Sequence, residues 1–443
     1  MMGNEVRKGY KEVRIGPKKL EIPREWKVST IEDICETYAG GTPRRSNEEY
    51  YEGNIPWVKS GELNQNYIDE IEECITQKGL ENSSAKWVPS NNVLVAMYGA
   101  TAGQVGFLRT KATTNQAVLA LLPKDNLCQP LFLYQTLSLN MNILVAQRTQ
   151  GSGQQNLNQT LIREMEIPLP PSEEQKKIAT ILSSVDKAIE KTDEIIDETK
   201  RLKKGLMQEL LIKGIDHEEF KEVKIGPKEI KIPIEWELYN LNQICEISGG
   251  YAFKSKKFIE DKCDKSYQVI RMGNVKMSFL DINKNPVYLH EDKLSERAYN
   301  YLLKKRDILI TLTGTVSKRD YGNVVIIEEG DKYLLNQRIG HIQVNDDRVD
   351  NRYCYYYLQT KVFRDRFFLD GKGGTGKQEN ISINDVKNME IPLPPIKEQK
   401  RIAKILSFVE NKINKRQEYK ESLEQLKKGL MQKLLTGEVR VEC

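Results

Sequence analysis

The stretch 371–377, GKGGTGK, has the spacing of a phosphate-binding loop, G-x-x-x-x-G-K, in which backbone amides and the lysine hold nucleotide phosphates. A working loop continues with Ser or Thr to hold magnesium, and it follows a buried strand. Here Gln378 follows, and the preceding VFRDRFFLD is charged and helix-like. The stretch therefore reads as a flexible turn, with Lys372 and Lys377 placed to meet an anion. NPVY at 285–288 approaches the NPPY signature of adenine N6-methyltransferases, but Val287 breaks it and no glycine-rich cofactor loop accompanies it. It reads as a turn. The chain has seven cysteines and three histidines, with no CxxC pair and with His217, His290 and His341 far apart. That excludes a disulfide framework and the usual zinc modules, so no metal and no cofactor is expected. HExxH, G-x-S-x-G and nuclease carboxylate patterns are absent too. Catalysis has no residues here to run on.

What the sequence does contain is a repeat. Residues 165–189 read MEIPLPPSEEQKKIATILSSVDKAI and 389–413 read MEIPLPPIKEQKRIAKILSFVENKI, identical at 17 of 25 positions and 224 residues apart. At the same offset LKKGLMQELL from Leu202 matches LKKGLMQKLL from Leu426. A second pair opens each half, with YKEVRIGPKKLEIPREW from Tyr10 and FKEVKIGPKEIKIPIEW from Phe220. Between these ends the halves share only islands: Gly40-Gly41 with Gly249-Gly250, Asn115-Gln116 with Asn336-Gln337, and GSGQQN from Gly151 with GGTGKQEN from Gly373. A constant frame with different filling suits a duplicated scaffold that carries two different recognition surfaces.

The repeated ends carry helical apolar stripes. Ile178, Leu182, Val185 and Ile189 lead on to Ile196, Leu202, Leu206 and Leu210, with Thr192 and Thr199 on the same face. The second copy gives Ile402, Leu406, Val409 and Ile413, then Leu423, Leu426, Leu430 and Leu434, interrupted by Arg416 and Lys420. Paired prolines before each stripe forbid earlier helix. Glu173, Glu174 and Glu398 favour the positive helix end, and Gly214 and Gly437 are C-cap candidates. About 39 residues of helix span roughly 58 Å, far beyond an ordinary globular helix, so each acts as spacer or interface. One stripe cannot be buried alone. Antiparallel packing of the two helices is the simplest solution, with the alternative that each packs on its own domain or that the chain dimerises through them.

The filling reads as mixed α/β. Strands are expected at 92–99, 116–123, 307–314 and 323–328, with shorter helices at 131–145 and 353–368. The expected fold is α+β, with two globular recognition domains separated by two long antiparallel coiled-coil-like helices, pseudo-twofold symmetric. The segments are 1–165, 166–215, 216–389 and 390–443. Lysine and arginine total 68 against 63 acids, a net charge of +5 that permits a nucleic-acid partner without demanding one. A charged N-terminus and the absence of a long apolar run point to a cytoplasmic chain with no membrane partner.

Several motifs then carry a family resemblance: IPREW (22–26) and IPIEW (232–236), GGTPRR from Gly40, GGYAFKS from Gly249, IPWVKSGEL from Ile55, VIRMGNV from Val269, the two NQ pairs, and IPLPP…EQ…IA with LKKGLMQ twice. With these the whole chain resembles the specificity subunit of Type I restriction–modification systems. The resemblance implies two target-recognition domains reading a bipartite double-stranded DNA target, and no catalysis of the chain's own. It further implies two modification subunits performing S-adenosylmethionine-dependent adenine methylation, and restriction subunits performing ATP-driven translocation and cleavage. The competing reading is a stand-alone DNA-binding regulator or scaffold. Candidate DNA contacts, chosen where basic, amide and aromatic residues mix, are Thr42, Arg44, Arg45, Lys59, Thr101 and Gln104 in the first half. In the second they are Tyr251, Lys254, Lys256, Arg271, Lys318, Arg319 and Lys377. The stripe residues from Ile178 to Ile189 and from Ile402 to Ile413 are the candidate partner-binding helix faces.

Overall fold

The computed structural model describes residues 6–16, 18–125, 127–148, 157–315, 319–369, 372–373 and 378–441. The chain forms two compact units: 1–194 with 417–443, and 195–416. The divisions fall inside the two long helices, Ser172–Leu210 and Ile396–Leu434, each 39 residues long and 224 apart in register. Each unit therefore holds the start of one long helix and the end of the other.

Within the first unit the two helix segments run antiparallel. Asp186 pairs with Lys427 at 2.6 Å and Asp193 with Lys420 at 2.8 Å, so one partner number rises as the other falls. The expected interruption at Lys420 is thus an ion pair across the helix pair. Within the second unit Lys203 meets Glu410 at 2.5 Å, the counterparts of Lys427 and Asp186 at the same 224-residue offset. Ile178 and Leu182 are wholly buried with Met431 and Leu434, and Ile402 and Leu406 are wholly buried with Leu206 and Leu210 packed against them. Leu202 and Leu426 depart from the expected stripe, being 56% and 51% exposed. At that level the inward positions are taken by Lys203 and Lys427, whose ion pairs replace leucine packing and turn the flanking leucines outward.

The repeated motifs form the frame that holds each helix to its recognition domain. The hairpin Tyr10–Ile15 with Lys18–Pro23 leads to Lys27–Thr30, which pairs antiparallel with Glu166–Leu169 just before the long helix. The second unit repeats this with Phe220–Ile225, Lys228–Pro233, and Glu237–Asn240 on Glu390–Leu393. The Glu-Gln dipeptide of the repeat has a specific task in both. Gln175 donates to the Pro170 carbonyl (2.8 Å) and the Leu127 carbonyl (3.1 Å), and its oxygen accepts from the Gln129 amide (2.8 Å). Gln399 makes the same three bonds to Pro394, Arg348 and Asp350. Glu174, fully buried, accepts from the Trp26 indole at 2.9 Å and from Arg440 at 2.6 and 2.9 Å. Its counterpart Glu398 accepts from the Trp236 indole, the Ile215 amide and His217. Gly214 and Gly437, at φ +73° and +74°, turn the chain after each helix in the left-handed conformation glycine tolerates.

Removing the Gln175 amide strands one buried amide and two carbonyls. Gln175→Leu is expected to lower the stability of the first unit by about 2 kcal/mol, measured by denaturant unfolding of the full chain. A change below about 0.5 kcal/mol would show the bonds to be replaceable.

The first recognition domain has a five-stranded sheet in the order Cys35–Ala39, Val118–Pro123, Asn92–Ala96, Val105–Leu108, Tyr67–Ile68. A four-stranded sheet runs Cys74–Ile75, Tyr51–Val58, Ala112–Thr114, Trp87–Val88. The second domain has Glu246–Gly249, Ile339–Gln343, Ile308–Thr311, Val324–Ile326 in one sheet and Tyr288–His290, Ser266–Ile270, Tyr333–Leu335 in another. The expected helix at 131–145 is Pro130–Arg148. Its expected counterpart is instead two helices, Asn351–Tyr357 and Lys361–Leu369. The Thr360 hydroxyl both bonds the Tyr357 carbonyl at 2.7 Å and accepts from the Phe363 amide at 3.2 Å, ending one helix and capping the next.

Candidate nucleic-acid interface

Two of the three sequence islands converge in each unit, while 151–156 and 374–377 of the third lie outside the described residues. In the first, the Gly41 amide donates to the Thr114 carbonyl at 2.9 Å, and the Asn115 amide donates to the Val58 carbonyl at 3.0 Å. The Trp57 indole donates to the Gly41 carbonyl at 2.9 Å. Gly40 admits no side chain, since a Cβ there would lie 2.0 Å from the Thr114 oxygen. The Gly-Gly pair, the Asn-Gln turn and the end of Tyr51–Val58 are thereby locked together. The second unit repeats the arrangement. One residue out of the sequence register of the Gly-Gly pairs, the Gly250 amide reaches the Ile339 carbonyl as Gly40 reaches Val118, and the Tyr251 amide reaches Leu335 as Gly41 reaches Thr114. The Asn336 amide reaches Ile270 as Asn115 reaches Val58, and the Gln337 amide adds a bond to the Tyr251 carbonyl.

On these matching backbones the side chains differ. In the first unit the half-buried Thr42 hydroxyl bonds the Gln116 amide oxygen. Arg45 lies over the rings of Tyr51 (4.6 Å) and Trp57 (4.9 Å) and pairs with Glu73, which Lys59 also meets at 3.1 Å. The Arg45 hydrogen bond, against burial and with help from Lys59, holds the Glu73 carboxyl below the usual carboxylate range. Arg44 beside it is exposed. In the second unit Tyr251 meets Phe253 edge-on and Tyr301 at a tilt, with ring centroids 4.9 and 5.1 Å apart. Arg271 occupies the position of Lys59 and donates to the Asn285 carbonyl. One surface presents a carboxylate-shared pair of cations. The other presents an aromatic cluster beside an arginine.

The remaining candidates are not joined to these clusters by the bonds and ring contacts above. Thr101 ends the short helix Gly99–Thr101, and Gln104 closes its turn through an amide bond to the Thr101 carbonyl at 2.9 Å. Lys254 and Lys256 are exposed at the short helix Ser255–Lys257. Arg319, at φ +44°, lies 5.2 Å over the Phe368 ring. Lys318 and Lys377 lie outside the described residues. Ile178, Leu182, Ile402 and Leu406 are committed to the cores of their own units, Val409 and Ile413 are buried, and Val185 and Ile189 are half-buried. Sequence reasoning missed Glu73, which is 28 residues from Arg45 and carries no local signal, and Arg364, which lies in a helix read only for its period.

Of the phosphate-loop stretch, 371 and 374–377 lie outside the described residues; the helix Lys361–Leu369 precedes it and the strand Gln378–Asn380 follows, the reverse of the strand-then-helix order. Asn285, at φ +45°, is a turn leading into Tyr288–His290. Burial pushes the Cys35 thiol up to about 12 and raises that of Cys128, while a hydrogen bond with Cys245 together with burial raises that of Cys354, so these are packing groups rather than nucleophiles. Among the described residues no group of His, Cys, Asp or Glu could hold a metal, and no helix is long and apolar enough to cross a membrane.

Two recognition domains on a duplicated helical frame define a paired-reader protein. The chain matches the Type I restriction modification DNA specificity domain twice, at 23–201 and 233–425, and it belongs to that family as a specificity subunit with two such domains. It is 29% identical over 427 residues to the Type I restriction enzyme MjaVIII specificity subunit of Methanocaldococcus jannaschii, covering 96% of this chain and 95% of that one. The crystal structure of a Type I restriction–modification S subunit from M. genitalium shares the fold, with TM-score 0.59 at 15% identity over 93% of this chain and 96% of that one. A second structure, from work on the assembly and conformational transition of the type I system, gives TM-score 0.54 at 16% identity, covering 96% of this chain and all of the other.

Proposed function

We propose that this specificity subunit reads a bipartite double-stranded DNA target, one half-site per recognition domain, and has no catalytic activity or cofactor of its own. The readers are 1–165 and 216–389, with 166–215 and 390–443 as the helical spacers. Two modification subunits supply methylation, restriction subunits supply cleavage, and the complex works in the cytoplasm. The observation that carries this reading is the convergence of the Gly-Gly, Asn-Gln and Lys59/Arg271 positions on one backbone arrangement in both units, each with different side chains. A constant frame positions the reader, and the exchanged side chains specify bases. No observation favours the stand-alone regulator.

Replacing 42–164 by the matching segment of a relative with a different target is expected to change one half-site and leave the other unaltered. The readout is the map of methylated adenines in a host carrying the chimera. Changes in both half-sites would sink the modular reading.

A further inference from the structure

The second unit contains a cleft of about 930 Å3 with one wall from the long helix Ser172–Leu210 and another from the helix Lys361–Leu369. Six cations line it: Lys200, Lys203, Lys204, Arg319, Lys361 and Arg364. The three lysines stand at i, i+3 and i+4, one face of the helix, where like charges repel unless something answers them. The chain answers only part of this charge. Lys203 is paired with Glu410, Lys200 weakly with Asp197 at 3.5 Å, and Lys361 with Asp365 at 2.7 Å. Asp365 is the one carboxylate in the lining among the described residues, and Lys228 shares it. Lys204, Arg319 and Arg364 have no carboxylate within ion-pair distance among the described residues.

Two features show that the cleft is arranged rather than accidental. Both guanidinium groups, Arg319 and Arg364, lie 5.2 Å from the centre of the same Phe368 ring, which fixes their planes before any ligand arrives. Burial also pushes the Arg364 guanidinium below its usual range, with only Asp365 opposing it, so an incoming anion would relieve a cation the fold has partly desolvated. The shared frame does not demand this. The Gln129 and Asp350 amides make the same bond to Gln175 and Gln399, which aligns the two domain helices at an offset of 221. At that offset Lys361 and Arg364 face Asn140 and Ile143, and at the 224 offset Lys200 faces Glu424. Lys203 and Lys204 belong to the repeated frame, where Lys427 and Lys428 take their places, whereas Lys200, Lys361 and Arg364 are particular to the second unit.

We propose that this cleft seats the phosphodiester backbone of the DNA held by the second unit, with the long helix forming one wall of the binding surface. Resting on the DNA-reading function above, this gives the helix a direct nucleic-acid contact in addition to its spacing role. Backbone seating would fix the register in which Tyr251 and Arg271 meet the bases.

The test compares the full chain, purified from its host with its bound partners, against Lys200→Gln/Lys204→Gln/Arg319→Gln. All three side chains are exposed. Binding to a labelled 40-base-pair duplex of arbitrary sequence is measured across salt concentrations. Loss of three phosphate contacts is expected to flatten the log–log salt slope by about 2.7, since each contributes about 0.9. Between 50 and 200 mM salt this amounts to roughly 40-fold less loss of affinity. An unchanged slope, with the wild type binding normally, overturns the cleft and leaves the DNA-reading function standing. A wild type with no salt-dependent duplex binding overturns that function itself. Loss of co-purifying subunits in the variant would mark an acidic protein surface as the occupant and also overturn the proposal. Should the triple variant be insoluble, Lys204→Gln alone is expected to flatten the slope by about 0.9, and no change there counts equally against it.

Discussion

Asp186→Ala is expected to destabilise the first unit by about 3–5 kcal/mol, enough to melt it ahead of the second in a denaturant titration. The Asp186 carboxylate is 6% exposed and accepts from three donors: the Tyr67 hydroxyl at 2.7 Å, the Gln135 amide at 2.6 Å and Lys427 at 2.6 Å. Alanine removes all three partners at once. It leaves an ammonium whose side chain is 19% exposed without its counter-ion and two buried polar groups without acceptors. The cost comes from these stranded groups rather than from the worth of the ion pair. Asp186→Leu combined with Lys427→Met should therefore recover much of the loss, because both charges leave together. Glu410 plays the same part in the second unit, accepting from Lys203 and from Tyr356 at 2.8 Å, so Glu410→Ala should reverse which unit melts first. A loss below 1 kcal/mol for Asp186→Ala would mean that water or a shifted side chain satisfies the site, and the network would not set helix register.

This network also marks where sequence reasoning stopped. The helices, their length and their antiparallel pairing were legible because apolar period, prolines and glycines act locally and were written twice. The Glu-Gln of the repeat was visible as a motif, but its bonds to Leu127 and Gln129 close over 48 and 46 residues and could not be read from spacing. Leu202 and Leu426 looked like stripe residues because the period alone does not distinguish an inward leucine from one displaced by an inward lysine; only the opposing Glu410 and Asp186 decide it. The recognition surfaces were partly legible. Gly-Gly and Asn-Gln stood out as shared islands, and the structure places them against each other. Glu73, which pairs with Arg45 and Lys59, was invisible because ion pairs between loop residues far apart in sequence leave no linear pattern. The break at Thr360 was likewise hidden, since a capping hydroxyl inside an apolar period looks like an ordinary helical residue.

The second large effect is expected from a single methyl group at the meeting point of the islands. A Cβ at Gly250 would lie 2.0 Å from the Asn336 carbonyl oxygen and 2.5 Å from its carbon, both backbone atoms that no rotamer change can move. The Asn-Gln turn must shift, and two segments are tied to it: Ile270 through the Asn336 amide and Tyr251 through the Gln337 amide. Gly250→Ala therefore displaces Tyr251 and Arg271 together while leaving the first unit untouched. A well-placed side chain on a base edge is worth about 1–3 kcal/mol of discrimination, so misplacing both should cost the second half-site at least about 30-fold. Gly273→Ala is the matched control. It sits in the same VIRMGNV motif, but a Cβ there meets nothing within 4 Å, so discrimination should change by no more than about twofold. The measurement is selection of bound duplexes from a library randomised in both half-sites. Gly250→Ala should return sites with the first half-site intact and the second flattened, whereas wild type and Gly273→Ala return both. If Gly250→Ala still selects the second half-site as sharply as wild type, the convergence of the islands does not position the base-reading side chains. The reading surface of that unit would then have to be sought at other residues.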